Sequence, residues 1–223
     1  MKPDTNVGDV DDFYSQAVAY IAKLNPPLPE NLEAIRNFGI KNKVPIIDDE
    51  LGFFLKFVCS IFNPGRILEI GCGISYSTHW MLYGSSESKI TALDSNRYRL
   101  DQCREYLQLS ENVHRVQLVH NWAKDFFEGN SQQFDLIFLD STKKEYIDLL
   151  DDCYLALVKN GLLIVDNIFY NRKIFGLTPD QKKKYGKSTQ LLETFNQKIA
   201  NHPNFSCTFL PMSDGVLVAK RTN

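Results

Sequence analysis

Arg66-Ile67-Leu68-Glu69-Ile70-Gly71-Cys72-Gly73-Ile74-Ser75-Tyr76-Ser77 decides the fold. An apolar run ends on a carboxylate, breaks at Gly71 and Gly73, and resumes at helical spacing through Thr78, His79, Trp80, Met81 and Leu82. That order reads as strand, tight turn, helix. Glycines let the backbone turn sharply and come close to a ligand, and the helix start that follows offers unpaired N–H groups. A dinucleotide fingerprint needs a third glycine where this chain has Tyr76, which disfavours a dehydrogenase. Glu69 points instead to a cationic or hydroxyl-rich ligand.

Downstream of this stretch, strands and helices alternate. Strands are expected over Arg66–Ile70, Lys89–Asp94, Val113–Val119, Phe134–Asp140 and Gly161–Asp166, with helices near 76–84, 96–109, 122–128 and 144–158. The pattern predicts an α/β fold with a mostly parallel sheet wrapped on both faces. Residues 168–187 read as irregular and hold six basic residues, Arg172, Lys173, Lys182, Lys183, Lys184 and Lys187, against one acid, Asp180. A helix follows from Ser188 to about Asn201, and Phe205–Leu210 pairs with Val216–Lys220 as an antiparallel hairpin closing the sheet edge. Upstream, three helices are expected over Val10–Leu24, Glu30–Phe38 and from Asp48 to Phe62. They form an N-terminal helical extension, residues 1–63, packed on a core of residues 64–223.

The chain has 223 residues, 43% of them hydrophobic and 23% charged, as in an ordinary globular protein of one larger domain. A net charge of −2 and a pI of about 6.1 exclude a global basic field for nucleic acid. Five scattered cysteines with no Cys-x-x-Cys pair fit a reduced interior better than a disulfide framework or a zinc site. The N-terminus is acidic (Asp4, Asp9, Asp11, Asp12) and no apolar run reaches membrane-spanning length, so a cytoplasmic protein without membrane contact is expected.

Several strands end on an acid or amide at the edge where open α/β sheets bind ligands: Glu69, Asp94, Asp140, and Asp166 with Asn167. Asp94 is placed to accept the hydroxyls of a ribose, or equally to cap the helix starting near Asn96. Asp140, Asp166 and Asn167 offer three hard oxygen donors suited to Mg²⁺ or a similar divalent ion. Lys143 stands three residues from Asp140 and could instead pair with Glu145 or Asp148 in solvent. The four histidines show no ligand spacing with one another and read as structural or surface residues.

Taken in order, Arg66–Ser77, Asp94, Phe134–Asp140 with Lys143 and Tyr146, Asp166-Asn167, Phe195-Asn196, Leu210-Pro211 and Asp214-Gly215 resemble a known family. It is the cation-dependent group of class I S-adenosylmethionine-dependent O-methyltransferases, similar to catechol and caffeoyl-CoA O-methyltransferases and their bacterial relatives. The resemblance covers about Lys43 to Lys220. It implies a Rossmann-like class I methyltransferase fold, with a seven-stranded, mostly parallel sheet, a C-terminal antiparallel strand and helices on both faces. It implies S-adenosylmethionine and a divalent cation, with Mg²⁺ foremost, as cofactors. Glu69, Gly71, Cys72, Gly73, Tyr76, Ser77, Asp94, Ala123 and Asp140 would line the cofactor site. Asp140, Asp166 and Asn167 would hold the metal, and Lys143, with Asp140, would be catalytic, Lys143 as general base. A homodimer is expected.

Two departures stand out. Where the family commonly has Gly-Asp-Ala after the third strand, this chain has Asn121-Trp122-Ala123. The acid for the adenine amine is missing, and Trp122 either stacks on the adenine or fills core, the latter preferred because aromatics more often pack. After Asp166-Asn167 come Phe169-Tyr170-Asn171-Arg172 in place of a Trp and Gly. The leading expectation is a metal-dependent O-methyltransferase acting on a small hydroxylated aromatic such as a catechol. Val44-Pro45-Ile46, His202-Pro203-Asn204-Phe205 and the basic stretch 172–187 keep open a tRNA 5-hydroxyuridine methyltransferase. A non-catalytic protein that binds S-adenosylmethionine is the reading from another class.

Overall fold

The computed structural model describes residues 7–223, with side chains from Phe13 onward. Asp4 of the acidic N-terminus, and the side chains of Asp9, Asp11 and Asp12, lie outside the described residues. Helices α1 (Val7–Leu24), α2 (Glu30–Asn42) and α3 (Asp49–Phe62) precede strand β1 (Arg66–Ile70). The alternating part runs α4 (Tyr76–Gly84), β2 (Lys89–Asp94), α5 (Arg97–Gln108), β3 (Val116–His120), α6 (Ala123–Glu128), β4 (Phe134–Leu139), α7 (Tyr146–Ala156) and β5 (Leu157–Val165). Helix α8 (Pro179–Ala200) and strands β6 (Phe205–Leu210) and β7 (Val216–Arg221) complete the chain.

The seven strands form one sheet in the order β3-β2-β1-β4-β5-β7-β6. Strands β1 to β5 pair in parallel, while β7 runs antiparallel to both β5 and β6. This is the expected Rossmann-like, class I methyltransferase architecture. Neighbouring residues of the central strands feed opposite faces: Ile67 packs with α3, α4 and α5, Leu68 with α7 and α8. Burial on both faces is why β1 and β4 read as nearly continuous apolar runs. Leu32 and Ile35 of α2 and Leu51 and Leu55 of α3 are fully buried in the same cluster as Ile67 and Ile90. Among the described residues, no helix is long and apolar enough to cross a membrane.

Several boundaries differ from expectation. Residues 113–115 form a 3₁₀ turn, so β3 begins at Val116. Strand β5 begins at Leu157 because α7 stops at Ala156. Helix α2 continues to Asn42, where Lys43 closes it in the left-handed conformation. The largest correction concerns residues 179–187, expected as irregular chain. They form the first turns of α8, because Thr178 and Gln181 make a reciprocal capping box and Pro179 sits at the first helical position. Lys182, Lys183, Lys184 and Lys187 are exposed on that helix, so the charges cost it no burial.

Helices α3 and α4 pack closely over the side of the sheet that carries Ile67. Trp80 of α4 is 1% exposed and stacks against Phe53 at 4.6 Å between ring centroids. Gly52 makes that approach possible: a Cβ there would stand 2.2 Å from Trp80 Nε1. Gly52→Ala is therefore expected to destabilise the protein by about 1–3 kcal/mol through overpacking, read as a lower urea midpoint with an unchanged m-value. An unchanged midpoint would contradict the close packing.

Glu69 ties α4 to β1. Its fully buried carboxylate accepts from Ser77 Oγ and, at 2.6 Å, from Thr78 Oγ1 in the first turn of the helix. Burial pushes its pKa up to about 7, against the lowering effect of the two hydroxyls. Because the folded pKa lies above the unfolded value, the folded state holds the proton longer as pH rises. Stability therefore falls from about pH 4.5 towards pH 7. Urea unfolding at pH 5 and pH 7 should show a smaller drop for Glu69→Gln than for the wild type. An equal drop in both would remove Glu69 as its source.

Candidate active site

The strand order reverses between β1 and β4, so the connections leave on opposite sides and a crevice opens at the carboxyl ends of the strands. A cavity of about 280 Å³ lies there. Its floor is the turn after β1. Gly71 has φ 95° and its N–H donates to Leu93 O at 2.7 Å. A Cβ on Gly71 would stand 2.0 Å from the carbonyl oxygen of Asp140, so only glycine fits between these two strand ends.

One end of the cavity is lined by Gly71, Gly73, Asp94, Ser95, Arg99 and residues 121–123. Asp94 Oδ2 accepts from Gly73 N at 3.0 Å and Oδ1 from Asn96 N at 2.8 Å. The helix cap left open by the sequence is Asn96, whose side chain accepts from Arg99 N at 3.1 Å. Asp94 instead bridges the glycine turn to the start of α5 and borders the cavity.

The other end holds residues 140–143, Asp166 and Asn167, and Pro45 and Ile46 from the loop before α3 also line the cavity, Pro45 lying against Gly73. Lys143 is 12% exposed. Its Nζ donates to Tyr146 Oη at 3.0 Å and Ser141 O at 3.2 Å, and lies 3.5 Å from Asp140 Oδ1. Tyr146 Oη in turn donates to Asp166 O at 2.9 Å. Lys143 therefore points into the site and makes no ion pair with Glu145 or Asp148. Asp166 is 3% exposed, and its pKa is pushed up to about 8 by burial and by the neighbouring charge of Asp140. Asp140 is raised too, chiefly by burial, with Lys143 opposing the shift. Two carboxylates facing one ammonium leave this end with excess negative charge when ionised. Asn167 adopts the left-handed conformation, φ 61°, which turns the chain sharply beside them.

The cavity brings together Gly71, Gly73, Asp94, Ala123, Asp140, Lys143, Asp166 and Asn167 of the expected residues. Glu69, Cys72, Tyr76 and Ser77 lie beneath the lining. Tyr76 is 1% exposed and its hydroxyl donates to Asp49 Oδ1 at 2.6 Å. Cys72 is buried beside Cys103, and that neighbouring thiol together with burial pushes its pKa up. Trp122, preferred as core, is 57% exposed at the cavity rim. Among the described residues, no group of three His, Cys, Asp or Glu side chains is placed to hold a metal ion. The expected set of two carboxylates and one amide falls outside that pattern.

Sequence reasoning missed Arg99 and the role of the β6–β7 turn. Arg99 borders the cavity from the first turn of α5, the helix that follows Asp94. Asp214 accepts from Asn171 N at 2.6 and 2.8 Å, and its backbone oxygen accepts from Phe169 N at 2.9 Å. Ser213 N donates to Tyr14 Oη at 2.7 Å and to Glu50. One five-residue turn thus ties α1, α3 and the chain after Asn167 together. Such contacts span 43 to 199 residues and leave no local signal.

Comparison with known proteins agrees with this geometry. A family profile described as O-methyltransferase matches residues 23–222. The Dictyostelium discoideum protein named "Probable caffeoyl-CoA O-methyltransferase 3" is 28% identical over 202 residues, covering 81% of this chain and 78% of that protein. Caffeoyl-CoA O-methyltransferase 1 of Arabidopsis thaliana is 26% identical over 228 residues, 95% of this chain and 85% of the other. The SAH-bound Podospora anserina methyltransferase PaMTH1 superposes with a TM-score of 0.85 at 23% identity, covering 100% and 99% of the two chains. With the profile spanning nearly the whole chain, this protein belongs to the O-methyltransferase family.

Proposed function

We propose that this enzyme transfers the methyl group of S-adenosylmethionine to a hydroxyl of a small, catechol-like aromatic, with a divalent cation at Asp140, Asp166 and Asn167. The observation that supports it is one cavity bordered by Gly71, Gly73 and Asp94 at one end and by Asp140, Lys143, Asp166 and Asn167 at the other. The donor set fits a hard cation: all three residues offer oxygen, and the excess negative charge of the two aspartates calls for a counter-ion. When bound, the cation favours an ionised acceptor oxygen and the sulfonium provides an electrophilic methyl.

The chain's own groups supply the rest. Asp94 is placed to accept from ribose hydroxyls. Lys143 Nζ, held by Tyr146 and Ser141, stands at the acceptor end as the group that, in its neutral amine form, takes the hydroxyl proton. Pro45 and Ile46 add apolar surface to the cavity lining. Holding the nucleophile against the methyl carbon replaces a bimolecular encounter with a local one.

A second reading, a tRNA 5-hydroxyuridine acceptor, is favoured by the position of the basic residues on α8. Lys182, Lys183, Lys184 and Lys187 project from ordered helix, and Lys173 Nζ lies over the rings of Tyr170 and Tyr185 at 4.8 and 4.9 Å. Titrating tRNA at two salt concentrations discriminates: absence of binding at low salt removes the RNA acceptor.

With a catechol panel and Mg²⁺, Lys143→Met is expected to lower kcat by about 10²–10⁴-fold while SAH affinity changes less than about threefold. Chelation, or Asp140→Ala, should abolish turnover and leave SAH affinity within about tenfold. Full activity in excess chelator would sink the metal assignment. If neither catechols nor hypomodified tRNA released S-adenosylhomocysteine, the non-catalytic reading would replace this one.

A further inference from the structure

Trp122 is an exposed indole that borders both the cavity and a groove beside α7. The chain has two tryptophans. Trp80 is 1% exposed in the core, whereas Trp122 is 57% exposed and borders the cavity at the end that carries Asp94. The backbone beneath it is fixed on both sides: Trp122 N donates to Asn121 Oδ1 at 2.9 Å, and Trp122 O accepts from Phe126 N at 3.0 Å. A large aromatic surface left in water on a rigid support gains apolar burial only when something covers it. Trp122 follows β3, which lies outward of β2 in the sheet, so it stands on the far side of Asp94 from β1, where the base of a nucleoside whose ribose meets Asp94 would extend.

We infer that Trp122 is the stacking platform for the purine of the bound nucleoside, an inference that rests on the S-adenosylmethionine reading. The acid expected at this position would have read the purine's amino edge through a hydrogen bond. An indole reads the ring face instead, and base–aromatic stacking is worth enough to hold a nucleoside without that bond. Trp122 is thus a cofactor-contact residue that sets affinity for the nucleoside half of the ligand and takes no part in the methyl transfer.

Calorimetric titration of the full chain with S-adenosylhomocysteine provides the test. Trp122→Ala should weaken binding by about 5- to 150-fold, the range that stacking predicts. Trp122→Phe should stay within about threefold of wild type, because a phenyl ring also stacks. Tryptophan fluorescence should change when wild type binds the ligand and stay unchanged in Trp122→Phe, whose remaining indole is the buried Trp80. Because the side chain is exposed, both variants should keep the wild-type thermal midpoint, which separates lost stacking from lost folding. Binding by Trp122→Ala within about twofold of wild type, or a fluorescence change that persists in Trp122→Phe, would overturn the inference. A wild-type chain that fails to bind S-adenosylhomocysteine at all would instead overturn the cofactor reading, and this inference with it.

Discussion

The approach of Gly71 to the Asp140 carbonyl is the contact on which the site depends. Asp140 N donates to Ile70 O at 2.9 Å, and the N–H groups of Gly71 and Cys72 both donate to Leu93 O, at 2.7 and 3.1 Å. Three strand ends are thereby locked to one turn, with 2.0 Å left for a Cβ that cannot be accommodated. Asp94 continues the lock by bridging Gly73 to the start of α5. Because these bonds are backbone or buried, the turn, Asp94 and Asp140 keep their mutual positions without a ligand. Such preorganisation is what positioning chemistry requires.

Charge at the opposite end is arranged differently. Glu69 accepts from two hydroxyls, whereas Asp140 and Asp166 lie beside one ammonium, and the charge of Asp140 helps to raise the pKa of Asp166. The distinction separates two jobs for buried carboxylates. A carboxylate fully engaged by local donors holds a helix to a strand. A pair left partly uncompensated beside Lys143 and open to a cavity is the arrangement found where a ligand or ion completes the charge balance.

The sheet and its ligand-binding edge were legible because they rest on local signals. Alternating apolar runs, the Gly-x-Gly turn, and acids closing β1, β2 and β4 are all readable within a few residues. The same signals misplaced Tyr76 and Ser77, since position near the turn does not say which side chains face the cavity. Both sit on α4 with Glu69 and Trp80 packed around them, and their polar atoms are used internally. Residues 179–187 were misread because their lysines suggested loop, while the decisive signal was the cap at Thr178 and Gln181. Trp122 was misread for the opposite reason: a residue type usually buried stands exposed at the cavity rim.

The two ends of the cavity therefore differ in origin. The end at Asp94 is built from β1, β2 and β3 and their following turns, all inside the repeating β/α pattern. The end at Lys143 is closed by parts outside that pattern: the loop before α3, the chain after Asn167, and the β6–β7 turn that joins them. Ser213 and Asp214 connect these walls through bonds to Tyr14, Glu50, Phe169 and Asn171. The same loop region is also tied to the glycine turn, since Tyr76 Oη donates to Asp49 Oδ1 at 2.6 Å at the start of α3.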